Sequence, residues 1–208
     1  MKSFFSYDPK LLVYGFLIVF FASYGQTFFI SLFNTEIRFF YGLTDGEFGF
    51  VYAISTLFSS FILISFAKLI DHIDLRIYSL IVTVGLLLAC IGMVLLINNI
   101  FYLFIIIFML RFFGQGAMTH AGETTMARYF GSNRGKALSI ATLGGMAGVM
   151  FLPYISLNYF INIEMKQLWF YASISIIVFI PFIFLALSGQ KARHNKFDQG
   201  LINDPLHL

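Results

Sequence analysis

Charged residues and cysteines are scarce in this chain, and both shortages exclude certain classes of protein and of functional site. Only 11% of the 208 residues are Asp, Glu, Lys or Arg, against about 25% in ordinary globular domains. The single cysteine, Cys90, excludes an intrachain disulfide and a metal site built on paired cysteines. The four histidines lack metal-ligand spacing, and the chain has no P-loop, G-x-S-x-G or H-E-x-x-H motif. We therefore expect neither an enzyme nor a metal or other resident cofactor.

Apolar surface, by contrast, is abundant. Hydrophobic residues make up 59% of the chain, and the mean hydropathy is +0.86. A water-soluble domain of this size could not enclose so much apolar area, whereas a lipid bilayer accepts it. The run Ile81–Leu96 is continuously apolar, which favours helices over the alternating strands of a membrane barrel.

Six segments approach the roughly 20 apolar residues that a helix needs to cross the bilayer. We predict an all-α membrane protein with spans at about 11–33, 47–69, 77–97, 100–126, 137–160 and 168–187. The connections are short, and the longest is a polar loop at Asn34–Gly46. The domain division that follows is an N-terminal segment at 1–10, a six-helix domain at 11–187 and a tail at 188–208. The tail lacks hydrophobic periodicity and is predicted to be flexible.

Basic residues lie almost entirely on one side of the predicted spans. The side that holds both termini carries Lys2, Lys10, Lys68, Arg76, Arg128, Arg134, Lys136, Lys191, Arg193 and Lys196. The other side carries only Arg38 and Lys166, and Arg111 lies inside a span. Basic residues collect in cytoplasmic loops, so we predict a multi-pass protein of the inner or plasma membrane with both termini in the cytoplasm. Basic residues in cytoplasmic loops account for the net charge of +3. We therefore expect no nucleic-acid partner.

Arg111 is the residue that lipid tolerates least. A charge at the middle of the bilayer costs about 2.5–3.5 kcal/mol on insertion scales, and such residues usually face a protein interior or a wet cavity. Arg111 could line a solute cavity, or it could tie helices together through backbone carbonyls. Gln115 shares its helical face. His120 could change charge near neutral pH or simply pack, and for Glu123 an ion pair with a cytoplasmic basic residue such as Arg128 is expected.

Further polar and small residues interrupt the first and fifth spans. Tyr24 and Gln26 are predicted to face the interior, where they contact either a solute or a neighbouring helix. In the fifth span, Gly144 and Gly148 form a G-x-x-x-G pair, and Gly145 extends the small face. Such faces allow helices to pack at short distance, and packing is the role that we predict for these glycines.

Three ordered motifs resemble the major facilitator superfamily. The loop Ala67–Arg76 is similar to that family's G-x-L-x-D-[RK]-x-G-[RK]-[RK] signature between spans two and three. Leu69, Asp71 and Arg76 match it in register, whereas other residues replace both glycines and two basic positions. The sequence from Arg111 to Gly116 resembles the fourth-span R-x-x-x-[GQ]-G pattern. The stretch 128–137, with Arg128, Arg134 and Lys136, resembles the loop that opens span five in the monocarboxylate and oxalate–formate branches.

The resemblance implies one half of a 12-helix transporter, with the solute site near the bilayer midplane between two six-helix halves. It implies alternating access for a small solute, with an organic anion as one candidate and H⁺ as a candidate coupling ion. A charge network of Asp71, Arg76 and Lys68 with Glu123, Arg128 and Arg134 would then act as a cytoplasmic gate. On this interpretation the chain is expected to be a fragment or a truncated half whose C-terminal half is missing. The alternative is a membrane scaffold or assembly subunit that transports nothing.

Overall fold

The computed structural model describes residues 4–159 and 164–200, which are helical and contain no strand. Within them, six segments are long and apolar enough to cross a membrane. They are Pro9–Ser31, Asp45–Asp71, Leu75–Leu95, Ile100–Tyr129, Gly131–Ser156 and Met165–Ala186. This confirms the predicted all-α membrane fold with six helices that can cross a membrane. Three parts of the predicted division lie outside the described residues. They are the end of span five at residue 160, residues 1–3 of the N-terminal segment and residues 201–208 of the tail.

Ten α-helices make up these spans and their connections in the described part of the chain. They are α1 (Pro9–Ala22), α2 (Thr27–Ser31), α3 (Asn34–Tyr41), α4 (Asp45–Phe66), α5 (Leu75–Leu95), α6 (Ile100–Met109), α7 (Thr119–Tyr129), α8 (Arg134–Tyr159), α9 (Met165–Ala186) and α10 (Gln190–Asp198). Short 3₁₀ turns lie at Phe4–Ser6, Ser23–Gly25, Ala67–Asp71 and Gly131–Asn133, and a π-helix at Leu110–Met118 joins α6 to α7.

Polar residues at the membrane surface fix where several spans begin. The Asp8 carboxylate accepts a hydrogen bond from the backbone N–H of Leu11 at the start of α1 (3.1 Å). Thr44 and Glu47 form a reciprocal capping box at the start of α4, in which each accepts from the other's backbone N–H. Asp74 caps α5 in the same position. These caps satisfy helix-end N–H groups that would otherwise lack partners.

α1 lies at the centre of the bundle and packs against α7, α8 and α9, while α5 packs mainly against α9. The second span is much less buried than its neighbours. Only 11% of its most apolar 18 residues are buried inside the protein, against 56% for the first and third spans. Its outward face carries exposed phenylalanines such as Phe50, Phe58 and Phe61. That face is available to lipid or to another membrane-embedded partner.

Two connections differ from the sequence expectation. The predicted loop Asn34–Gly46 contains α3, which ends at Gly42 in the left-handed conformation (φ 66°). The predicted flexible tail begins with α10, whose lack of apolar periodicity concealed it. Long-range contacts stabilise α10: Arg193 pairs with Asp8, and the ring of Phe197 lies edge-on to that of Tyr129 at 6.0 Å.

Segments 4–8, 67–76, 129–136 and 187–200 meet at one end of the bundle, which we call the basic end. Arg193 and Asp8 connect its first and last described segments. Arg128 and Asp71 connect the end of the fourth span to the turn after the second. Lys166, in contrast, lies at the opposite end, 5.9 Å from the ring of Phe40 in α3.

Candidate functional site

Arg111 lies in the middle of the fourth span, where the helix widens. The backbone around it follows the π-helix Leu110–Met118, a form in which N–H groups bond to carbonyls five residues earlier. Segments of this kind are rare and concentrate at functional sites. Arg111 is only 6% exposed, so its charge lies inside the protein and not in lipid.

The guanidinium of Arg111 is held by neutral oxygen atoms of two other spans. Its Nη1 donates to the carbonyl oxygen of Gly25 (3.3 Å) and to the hydroxyl of Thr27 (3.0 Å). Its Nε donates to the hydroxyl of Thr56 (3.2 Å), and the Tyr52 ring centre lies 5.3 Å from the guanidinium carbon. In the described part of the chain no carboxylate pairs with Arg111. Its positive charge is therefore not neutralised by an acidic neighbour.

The first span is interrupted beside Arg111. A 3₁₀ turn follows α1, and Gln26 is extended, with φ −81° and ψ 152°, before α2 begins. Gly25 approaches the π-helix so closely that an added Cβ would lie 2.1 Å from the carbonyl oxygen of Leu110 and 2.7 Å from the Cα of Gly114. Only glycine fits there, and the interruption leaves the Gly25 carbonyl available to accept from Arg111.

Arg111 also lines an open polar cavity of about 260 Å³ between the second and fourth spans. The sequence-predicted residues Gln115, His120 and Glu123 line the same cavity, together with hydroxyl-bearing residues of α4 such as Ser60. The structure thus brings four of the predicted cavity and network residues to one wall. Their spacing along a single helix explains why they share it.

Several polar atoms on this wall are incompletely satisfied by the described residues. The Oε1 of Gln115 and the hydroxyl of Thr119 are buried and have no hydrogen-bond partner there. His120 is half-buried, and its ring nitrogens lie 3.3 Å and 3.4 Å from the hydroxyl of Thr124. Buried polar atoms normally find a partner, so this wall is suited to polar contents.

The two candidates on the first span lie elsewhere. The hydroxyl of Tyr24 bonds to that of Ser175 in α9 (2.9 Å), and its ring packs edge-on to Phe29 at 5.1 Å. Tyr24 therefore joins the first and sixth spans and does not reach the Arg111 cavity. Gln26 is half-buried at the interruption and is not among the residues that line that cavity.

At the basic end, Arg128 is the centre of a smaller charge cluster. It forms an ion pair with Asp71 and donates to the carbonyl oxygen of Ile70 (3.5 Å). The ring of Phe197 in α10 lies 5.7 Å from its guanidinium carbon. The expected pair of Glu123 with Arg128 is wrong, because Arg128 is engaged by Asp71 and Glu123 is exposed on the wall of the cavity.

The other residues assigned to the charge network are not joined to this pair. Arg76 donates from Nε to the carbonyl oxygen of Leu187 (3.1 Å), which ties the third span to the end of the sixth. Lys68 and Arg134 are exposed, and neither forms an ion pair within the described residues. The structure therefore places Asp71 with Arg128 but leaves these basic residues apart.

The glycines of the fifth span lie against the first span. A Cβ on Gly144 would be 2.0 Å from the carbonyl oxygen of Phe16, and one on Gly148 would be 2.0 Å from the Oγ of Ser23. A Cβ on Gly145 would meet only the side chain of Val19, at 3.3 Å. Gly144 and Gly148 thus permit the close contact between α1 and α8.

Sequence reasoning missed three residues of the Arg111 environment, namely Gly25, Tyr52 and Thr56. A signal for the second span was present, because Ser55, Thr56, Ser59 and Ser60 place several hydroxyls within one apolar stretch. Gly25 carried no such signal, since its role arises from a close contact with another span.

Comparison with known proteins gives one finding about the family. The family model of the Major Facilitator Superfamily matches residues 15–205, which include most of the first span, the other five spans and α10. No curated protein and no solved structure matches the chain. The match covers the Arg111 cavity and every segment of the basic end except residues 4–8.

Proposed function

Since the chain belongs to the Major Facilitator Superfamily, a family of membrane transporters, we propose that it moves a small solute across the membrane by alternating access. In such transporters two six-helix halves rock about a site near the bilayer midplane. The observation that carries the proposal is Arg111, a buried cation that has no acidic partner among the described residues and lies on the wall of a polar cavity. Such a residue is expensive to maintain in a membrane unless it serves a function.

The solute class that we propose is a small organic anion. Arg111 is held by neutral oxygens, so a carboxylate that entered the cavity would meet a charge not already compensated. Among the described residues these oxygens engage Nε and Nη1, so Nη2 is the nitrogen that would donate a charge-assisted hydrogen bond to the carboxylate. The Oε1 of Gln115 and the hydroxyl of Thr119, which find no partner in the described part of the chain, add neutral hydrogen-bonding groups on the same wall.

The gate that we propose is the Asp71–Arg128 ion pair at the basic end. This pair joins the turn after the second span to the end of the fourth, the two spans that form the cavity. In the proposed cycle the pair is formed in one state and broken in the other. Glu123 and His120 are the titratable groups of the cavity, which makes H⁺ the candidate coupling ion.

We propose that a second six-helix half completes the transporter against the exposed face of the second span, which is mostly unburied. We also propose that the basic end faces the cytoplasm and that the membrane is the inner or plasma membrane. The support is the excess of basic residues on the side where residues 4–8 and 187–200 lie.

A scaffold without transport is the second candidate, because Arg111 also ties the first, second and fourth spans together. A water-soluble maleimide separates the two, in a Cys90→Ala background that carries Ser60→Cys or Gln115→Cys. A transporter cavity predicts labelling of both, and the control Ala89→Cys, fully buried in the third span, stays protected. Protection at all three positions would favour the scaffold.

Uptake of radiolabelled formate, acetate and oxalate into vesicles from cells that express the chain tests the anion proposal. Arg111→Gln removes the charge, and we expect uptake to fall by about tenfold or more, since a hydrogen bond to a charged group contributes about 1.5–3 kcal/mol. Arg111→Lys is expected to restore little, because one ammonium group cannot hold the oxygens of Gly25, Thr27 and Thr56 and also donate to the solute. Arg38→Gln, at the opposite end of the bundle, is the control. Equal uptake by Arg111→Gln and the control would refute the role of Arg111.

A further inference from the structure

An open apolar groove of about 580 Å³ lies between the first and sixth spans at the basic end. Its floor is formed by Tyr14 and Phe179, which are 1% and 2% exposed. Val13, Leu17 and Phe182 line it further, and both Val13 and Phe182 are about half exposed to the outside of the bundle. The groove shares no lining residue with the Arg111 cavity.

The floor of the groove presents apolar surface although it contains a tyrosine. The hydroxyl of Tyr14 is bonded to that of Ser79 in the third span (2.7 Å), so its polar end is already satisfied inside the bundle. What remains toward the groove is the ring. A surface of this kind in a bilayer is covered by hydrocarbon, because water there would find no hydrogen-bonding partner.

The mouth of the groove lies at the membrane surface and is polar. It is formed by Pro9, Lys10 and Ser188. Lys10 is the only charged residue among those that line the groove, and its Nζ donates to the neutral hydroxyl of Ser188 (3.1 Å). The neighbouring cation Arg193 is engaged by Asp8. No carboxylate among the described residues pairs with Lys10, which therefore offers an exposed positive charge at the groove's mouth.

We propose that this groove binds an anionic phospholipid, with one acyl chain against Tyr14 and Phe179 and the phosphate at Lys10. From Pro9 to Leu17 the groove follows α1 over eight residue steps, which is about 12 Å at the rise of an α-helix. An acyl chain that enters from the membrane surface runs parallel to the helix over that distance. A lysine at the surface selects an anionic headgroup over a zwitterionic one. The proposal is independent of the solute, and a failure of transport would not affect it.

Native mass spectrometry of the full chain in detergent tests the site. The probes are phosphatidylglycerol and phosphatidylcholine with identical palmitoyl and oleoyl chains, together with glycerol 3-phosphate as a headgroup without chains. We expect adducts of phosphatidylglycerol to exceed those of phosphatidylcholine by about fivefold, the preference that one interfacial lysine supplies. Glycerol 3-phosphate alone is expected not to bind.

Two variants assign the headgroup and the chain separately. Lys10→Gln should remove the preference between the lipids, and Lys136→Gln, an exposed lysine at the same end, should keep it. Val13→Trp should fill the groove and reduce adducts of both lipids. Ile177→Trp is its matched control, since Val13 and Ile177 are 52% and 51% exposed and only Val13 lines the groove. An unchanged preference in Lys10→Gln, equal adducts in both tryptophan variants, or equal binding of glycerol 3-phosphate would overturn the proposal.

Discussion

Replacing Gly144 with alanine should loosen the contact between α1 and α8. The added Cβ would lie 2.0 Å from the carbonyl oxygen of Phe16, and also 2.9 Å from its carbonyl carbon and 3.1 Å from its Cα. These are backbone atoms, so no rotamer change can relieve the overlap. The two helices must separate, by about 1.4 Å or more if the contact is to reach an ordinary distance. Overpacking of this kind typically costs about 1–3 kcal/mol.

The neighbouring Gly145 provides a matched control. A Cβ there would meet only the Cγ1 of Val19, at 3.3 Å, and that side chain can move slightly. Both substitutions gain the same helix propensity, about 1 kcal/mol for glycine to alanine. The difference between Gly144→Ala and Gly145→Ala therefore isolates the cost of separating the helices, which we expect to be about 1–3 kcal/mol.

Unfolding of the purified chain in mixed detergent micelles, followed by circular dichroism during a titration with sodium dodecyl sulfate, measures this difference. The transition of Gly144→Ala should lie at a lower fraction of the denaturing detergent than that of Gly145→Ala. If the two variants unfold together, the close packing of α1 on α8 does not stabilise the bundle, and the reasoning from this contact is refuted.

Two further predictions concern the basic end. Exchanging the partners, Asp71→Arg with Arg128→Asp, should restore the uptake that either change alone reduces. Each single variant should lose at most about 1 kcal/mol of stability, because the Asp71 side chain is 55% exposed. A double variant as inactive as the single variants would argue against a gate. Arg193→Gln should lower the melting temperature, because it removes the partner of Asp8 in an ion pair whose side chains are only 16% and 19% exposed; the expected loss of folding stability is about 1–3 kcal/mol. The control Lys196→Gln changes an exposed side chain and should leave the melting temperature unchanged. Equal melting temperatures of the two variants would show that other contacts hold α10.

Much of the membrane architecture could be predicted because hydrocarbon imposes simple conditions on a sequence. Runs of apolar residues located all six spans. The penalty for a charge in lipid singled out Arg111, which the structure holds inside the protein. Helical periodicity then placed Gln115 on the same wall. Each of these inferences depends on a local property of one span.

The features that sequence reasoning missed depend on contacts between distant segments. Gly25 is required by the backbone of the fourth span, and nothing in its own neighbourhood indicates this. α10 lacks apolar periodicity and owes its position to Asp8 and Tyr129. Tyr24 is polar within an apolar span, as a cavity residue would be, but its partner Ser175 lies in the sixth span. Periodicity does not reveal such pairings, because it describes one element at a time.

The bond between Asp8 and Arg193 has a consequence for how the chain is made. Its partners are 185 residues apart in sequence, so it cannot form until every span has left the ribosome. At about 5–20 residues per second, synthesis of that length takes about 10–40 s. During this interval the carboxylate of Asp8 has no Arg193 with which to pair. The pair therefore joins the earliest and latest parts of the bundle in a final step, which only a chain with all six helices already inserted can complete.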